Sequence, residues 1–231
     1  MGSSLASARE WSSRFGFVAL DFDGVLVRQE SAWGTLHAAF GTEQAARRHF
    51  REFERGEFDY REFMRRDISR WGRRAHEEIK QVLLRYDLDP QAESVIRELR
   101  QEGRRVAIIS AGIDILAGEV ARRLGIEHFL ANGLETDADG ELTGDGILRV
   151  DLKRKDHALR RVAKALGCTR GQTVYVGDSP FDIPPLDASG LGIGYGGRGW
   201  ASQRCGLVDA WADTLGDIPR IIRKFERSYT I

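Results

Sequence analysis

The sequence predicts an α/β protein: a three-layer core around a mostly parallel sheet, with an α-helical subdomain inserted after the first strand. Three observations carry this. Short apolar runs alternate with amphipathic helical stretches, the pattern of buried parallel strands joined by crossover helices. Several of those runs end in Asp, Ser or Gly, as strands do where an open sheet binds its ligand. Between the first two strands lies a wholly helical stretch holding nine of the chain's 21 aromatic residues.

A chain of 231 residues can bury a large core, in one domain or in one domain with an insertion. Its 35 basic and 35 acidic residues balance, so no net field recruits nucleic acid or an anionic membrane. Two cysteines, Cys168 and Cys205, make no disulfide framework and fit a reducing, cytoplasmic setting. The first residues lack a signal peptide's apolar stretch, and no run is long enough to span a bilayer. Residues 1–15 read as a lead-in, 16–27 and 89–231 as the core, and 28–88 as the helical insertion.

The stretch FVALDFDGVLV, from Phe17 to Val27, starts as an apolar strand that ends in two aspartates. Residues two apart on a strand share a face, so Asp21 and Asp23 can turn both carboxylates into one small volume. Two such groups repel unless a cation neutralises them, which points to a metal site or to a nucleophile beside a proton-transfer group. A plain strand ending in an Asp-Gly turn is the competing reading. Four helices follow in SAWGTLHAAF, TEQAARRHFREFERG, DYREFMRRDISRWG and AHEEIKQVLLRY, each with apolar residues three and four apart. Asp89-Pro90 marks the exit from this stretch.

A helix over residues 91–102 leads to a second strand, RVAIIS, which runs into Ala111-Gly112 and a helix, IDILAGEVARRLG. The spacing predicts a tight turn at Ser110 and Gly112, with a helix N-terminus offering free N–H groups to a phosphate. LETDADGELTG reads as a hairpin around Asp139-Gly140. Lys153 and Lys155 precede the helix DHALRRVAKALG. A third strand, TVYV, ends in Gly177-Asp178-Ser179-Pro180-Phe181-Asp182, and a fourth near LGIGYG and a last helix, IPRIIRKF, close the chain.

One edge of the sheet thus receives an Asp pair, a Ser-x-Gly turn, a second Asp pair and a Lys. Together they make a metal-assisted phosphoryl-transfer kit. Such transfer needs an in-line nucleophile, a hard cation on the phosphoryl oxygens and donors for the equatorial charge. Carboxylates suit Mg²⁺, and an Asp can attack phosphorus to form an aspartyl-phosphate.

In order and spacing, DFDGVLV, IISAG, Lys155 and GDSPFD resemble the four motifs of the haloacid dehalogenase superfamily of phosphatases, and of its phosphoserine phosphatase branch in particular. The resemblance runs from about Phe17 to Gly196 and implies a Rossmann-like core with a helical cap. It implies that Asp21 is nucleophile and Mg²⁺ ligand, and that Asp23 is general acid/base with its carbonyl on the metal. Ser110, Ala111 and Gly112 would hold the phosphoryl group, and Lys155 would neutralise nucleophile and phosphate. Asp178 would be a second carboxylate ligand, with Asp182 orienting it from behind. Glu30 matches the cap glutamate that reads the substrate. At two positions the chain departs from the branch: Asp67, flanked by Arg65 and Arg66, stands in place of a substrate-binding arginine, and Phe181 in place of an asparagine.

The implied protein is a Mg²⁺-dependent phosphomonoesterase for a small metabolite, a monomer or homodimer, with phosphoserine as first candidate. A different phosphoester, of an amine, sugar or polyol, is the alternative. A phosphotransferase or phosphomutase could use the same chemistry, and a binding module would have lost Asp21 or Asp178. On the third cap helix Tyr60, Met64, Asp67 and Trp71 share one stripe. Asp67 then either faces the leaving group or pairs with a neighbouring Arg while Arg65 or Arg66 turns inward. Lys153 reads as a surface residue, the five histidines as ordinary surface or core residues, and the cap aromatics as core rather than substrate wall. GIGYGGRG satisfies a dinucleotide-type glycine pattern but lacks a following helix, and reads as a turn.

Overall fold

The computed structural model describes residues 14–28, 31–197, 200 and 208–228. Its centre is a seven-stranded sheet in the order β4-β3-β2-β1-β5-β6-β7. The strands are β1 (Phe17–Leu20), β2 (Arg105–Ile113), β3 (His128–Thr136), β4 (Leu142–Ile147), β5 (Thr173–Gly177), β6 (Leu191–Tyr195) and β7 (Ala210–Ala212). All neighbours run parallel except β3 and β4, which form the hairpin expected around Asp139-Gly140. β1 lies in the middle, with Leu20 opposite Ile108 of β2 and Val176 of β5. Every side chain of β1 and β5 is buried, so both faces of the sheet are covered and the continuous apolar runs are explained.

Four helices fall between β1 and the core helix α5 (Ala92–Gln101): α1 (Ala32–Phe40), α2 (Glu43–Glu54), α3 (Tyr60–Trp71) and α4 (His76–Leu83). Their boundaries follow local chemistry. Ser31 caps α1 by accepting from Gly34 N–H, and Gly41, at φ 66°, ends it. Asp59 caps α3 by accepting from Glu62 N–H. The stripe Tyr60, Met64, Asp67 and Trp71 is buried, as its spacing predicts. α3 packs on β4, and Arg73 ties the end of that helix to Asp137 and Glu141 of the hairpin at 2.6 and 2.7 Å.

The chain enters and leaves this helical stretch through two segments that pair with each other. Arg28 N–H donates to Asp87 O and Asp89 N–H to Leu26 O, both at 2.9 Å. The remaining helices, α6 (Asp114–Leu124), α7 (Lys155–Ala165), α8 (Ile183–Asp187) and α9 (Asp217–Ser228), cover the sheet, α5 packing on α6 and α9, and α7 on α8.

Three expectations need correction. Ser110 and Gly112 do not sit in a tight turn before a helix; β2 continues to Ile113 and α6 begins at Asp114. Pairing with β3 shifts register between Ile109 and Ile113, so the segment is an irregular strand rather than a helix start. Lys153 is half-buried rather than a surface residue, because its ammonium donates to Phe53 O at 2.7 Å and lies over the Phe53 ring. β7 and α8 were not anticipated, the first for its three-residue length and the second for its two consecutive prolines, which a helix tolerates only in its first turn.

Candidate active site

The C-terminal ends of β1, β2 and β5 open into one cavity of about 520 Å³. Its floor holds Asp21, Asp23, Ser110, Ala111, Gly112, Lys155, Asp178 and Ser179. Lys155, the first residue of α7, is buried and donates to Asp21 Oδ2 at 2.7 Å and to Asp182 Oδ1 at 2.8 Å. The second Asp21 oxygen accepts from Phe22 N–H at 2.7 Å. Asp182 is fully buried and also accepts from Tyr175 Oη at 2.8 Å and from Ser179 Oγ at 2.7 Å. Gly112 N–H donates to Ser110 Oγ at 2.9 Å.

Charge is crowded here. Burial and the neighbouring Asp182 carboxylate hold Asp21 well above the usual carboxylate range, with Lys155 pulling the other way. Burial pushes Asp23 up to about 6, and burial with the Asp182 charge does the same for Asp178. Burial also opposes ionisation of Asp182, but the Lys155 ammonium outweighs it and the carboxyl stays below its ordinary value. Among the described residues, one ammonium therefore faces several wholly or partly buried carboxylates.

Oxygens of Asp21, Asp178 and Asp182 lie within 4.8 Å of one another, and Asp23 Oδ1 is buried without a hydrogen-bond partner among the described residues. A hard divalent cation fits such an oxygen-rich, under-neutralised cluster. Gly24 permits the packing: at φ 77° it lies so close that a Cβ would sit 2.0 Å from Asp178 Oδ2.

The rest of the cavity is walled by the helical stretch. Trp33, Phe50, Tyr60 and Phe63 line it, together with Phe181. These aromatics pack against one another and also form the wall, so the choice between core and wall was a false one. Phe181 meets Phe50 edge-on with centroids 6.0 Å apart, so the residue in place of the branch's asparagine joins core to helices.

Asp67 is buried and lines the cavity, but it pairs with histidines rather than an arginine. Asp67 Oδ1 lies 2.6 Å from His49 Nδ1, and Oδ2 lies 3.2 Å from His37 Nε2, off the line a hydrogen bond prefers. Trp71 Nε1–H donates to His37 Nδ1, so the proton of a neutral His37 sits on Nε2, facing Asp67. Arg65 and Arg66 turn outward to Glu62, and Arg66 reaches Glu52 as well. Neither of them lines the cavity, whereas Arg47 of α2 does, without a hydrogen-bond or ion-pair partner among the described residues. Glu30 lies outside the described residues. Sequence reasoning passed over Trp33, Tyr60 and Tyr175 as apolar. Their polar tips in otherwise apolar stretches were the available signal, since a buried Tyr or Trp finds a hydrogen-bond partner.

Such a floor, on such a sheet, defines a phosphoric monoester hydrolase. The chain belongs to the haloacid dehalogenase-like hydrolase family, whose family model matches residues 18–187, and within it is phosphoserine phosphatase-like. It is 30% identical over 181 residues to a phosphoserine phosphatase of Methanocaldococcus jannaschii, covering 77% of this chain and 84% of that one. It is 31% identical to a phosphoserine phosphatase of Streptomyces coelicolor over 78% of this chain, and spans 44% of that longer protein. A solved structure of a phospho-aspartyl intermediate analogue of phosphoserine phosphatase superposes with a TM-score of 0.75 at 26% identity, covering 90% of this chain and 99% of that one. No helix among the described residues is long and apolar enough to cross a membrane.

Proposed function

We propose that this chain hydrolyses a small phosphomonoester by way of a phosphorylated Asp21, with Mg²⁺ as cofactor and phosphoserine as the first substrate to test. The observation that carries the reading is the buried Asp21 carboxylate held 2.7 Å from Lys155 on the floor of a cavity that also holds Asp23. Residues 28–88 act as the cap over a core of 16–27 and 89–231.

Asp21 attacks phosphorus, and the bond from phosphorus to the ester oxygen breaks. Asp23, raised to about 6 by burial, gives its proton to the departing oxygen. Water then attacks the aspartyl-phosphate, Asp23 takes back a proton, and the Asp21 carboxylate is restored. Ser110 Oγ and Gly112 N–H hold the phosphoryl oxygens. Lys155 orients Asp21 and pulls against the burial that raises it; the carboxylates of Asp182 and Asp21 keep its own ammonium charged despite burial. Asp21, Asp178 and the Asp23 carbonyl would hold Mg²⁺, with Asp182 behind them. When bound, the ion supplies positive charge to the phosphoryl oxygens.

Two features support a substrate with a carboxylate. Asp67 already has both oxygens beside histidine nitrogens, so its carboxylate is engaged by α1 and α2 rather than left to meet the substrate alone. Arg47 is the uncommitted guanidinium among the described residues lining the cavity, and a planar fork suits a carboxylate.

The test is phosphate release from phosphoserine, phosphoethanolamine and a sugar phosphate, with Mg²⁺ and with EDTA. Phosphoserine should lead, and EDTA should abolish all three reactions. Undiminished release in EDTA sinks the metal-assisted reading, and preference for a substrate lacking a carboxylate sinks the substrate.

A further inference from the structure

The carbonyl oxygen of Ala111 accepts three hydrogen bonds. Asn132 Nδ2 of β3 donates at 2.9 Å, Tyr60 Oη of α3 at 2.9 Å and Trp33 Nε1 of α1 at 3.1 Å. A carbonyl oxygen has two lone pairs, so three donors are more than it needs for satisfaction. All three groups are buried, and burial keeps the Tyr60 hydroxyl protonated far above neutral pH, so it stays a donor. The Asn132 orientation is fixed independently, because its Oδ1 accepts from the N–H groups of Arg149 and Val150 at 2.8 and 2.9 Å.

That carbonyl belongs to the same planar peptide as Gly112 N–H. Fixing the C=O direction fixes the N–H direction opposite it. Hydrogen bonds to the oxygen also polarise the peptide and strengthen the N–H as a donor. Gly112 N–H spends that strength on Ser110 Oγ in this structure and lies on the cavity floor.

We propose that Tyr60 and Trp33 are positioning residues that aim and strengthen the Gly112 N–H toward a phosphoryl oxygen, so that the helical cap completes the phosphate site through the back of this peptide. The inference rests on the reading of the cavity floor as a phosphate site. The core supplies one of the three donors and the cap two. A cap held against the core therefore raises affinity for any phosphoryl group, whatever the leaving group.

The experiment uses Tyr60→Phe, which keeps the ring and removes only the donor, and Trp33→Phe, which removes the indole N–H together with part of the ring, both in the full chain. Inorganic phosphate with Mg²⁺ is the probe, followed by calorimetry and by the ¹⁵N–¹H resonance of Gly112. Each variant should bind phosphate about three- to tenfold more weakly, as loss of one hydrogen bond allows. The Gly112 resonance should move in the free variants and again on adding phosphate, and kcat should fall more than KM rises. A variant that loses thermal stability while phosphate affinity and the Gly112 resonance stay at wild-type values overturns the proposal. So does a Gly112 resonance in the wild type that phosphate does not move. Because binding is read apart from turnover, a chain that binds phosphate in this Tyr60-dependent way yet releases none from any ester would overturn the hydrolase reading alone.

Discussion

Asp21 and Asp23 are two residues apart and do different work because their surroundings differ. Asp21 is gripped by Lys155 and by Phe22 N–H, whereas among the described residues Asp23 accepts only from Ala32 N–H, at 3.2 Å, and keeps one buried oxygen without a partner. Asp21→Asn should abolish phosphate release, since an amide cannot form the acyl-phosphate; a tenth of the wild-type rate would remove it from the nucleophile role. Asp23→Asn should lower kcat at least about 10²-fold while phosphate still binds, the usual worth of a general acid–base. An unchanged kcat would refute that assignment. The order Asp pair, Ser-x-Gly, Lys, Asp pair was legible because strand alternation and sheet topology carry such residues to one edge. The pairing of Asp67 with His37 and His49 was not, because it joins three helices whose relative rotation no single stretch encodes.

At the scale of elements, the turn after β1 and the loop after β5 are built against each other through Gly24 and Asp178. Gly24→Ala should cost about 1–2 kcal/mol from the left-handed backbone alone, and its new methyl would displace Asp178. The expected outcome is a Mg²⁺ requirement raised by orders of magnitude with a far smaller change in thermal stability, measured by metal titration and melting. Mg²⁺ dependence that stays unchanged would mean the carboxylate is free to sit elsewhere. Helix positions were legible from apolar spacing. The end of β2 was not, because its irregular pairing with β3 lets a Ser-Ala-Gly-Ile run remain strand where a turn was expected.

For the molecule as a whole, the first core strand, the start of β2 and the last helix meet at Arg104. Its buried guanidinium donates to Phe15 O at 2.7 Å and to both oxygens of Glu226 at 2.8 Å. Burial works against the Glu226 carboxylate, but hydrogen bonds from Arg104 and from Phe15 N–H hold it below its ordinary range. A carboxyl lower in the folded chain than in the unfolded one stabilises the fold fully above its unfolded value, about 4.3. That stability is lost as pH falls through the lower folded value. Glu226→Gln should thus cost about 2 kcal/mol at pH 7, read by urea unfolding, and the gap to wild type should close as pH drops below about 4. A gap of constant size across that range would show that the charge is not what matters.

The paired segments at Leu26–Arg28 and Asp87–Asp89 have a mechanical consequence. A single thread between two bodies lets one spin and wander relative to the other. Two threads laid side by side and stitched by hydrogen bonds form a ribbon, which bends about one axis and resists torsion and shear. Those two hydrogen bonds therefore resist twisting and sliding of the helices against the sheet, the movements that would carry Tyr60 and Trp33 off the Ala111 oxygen.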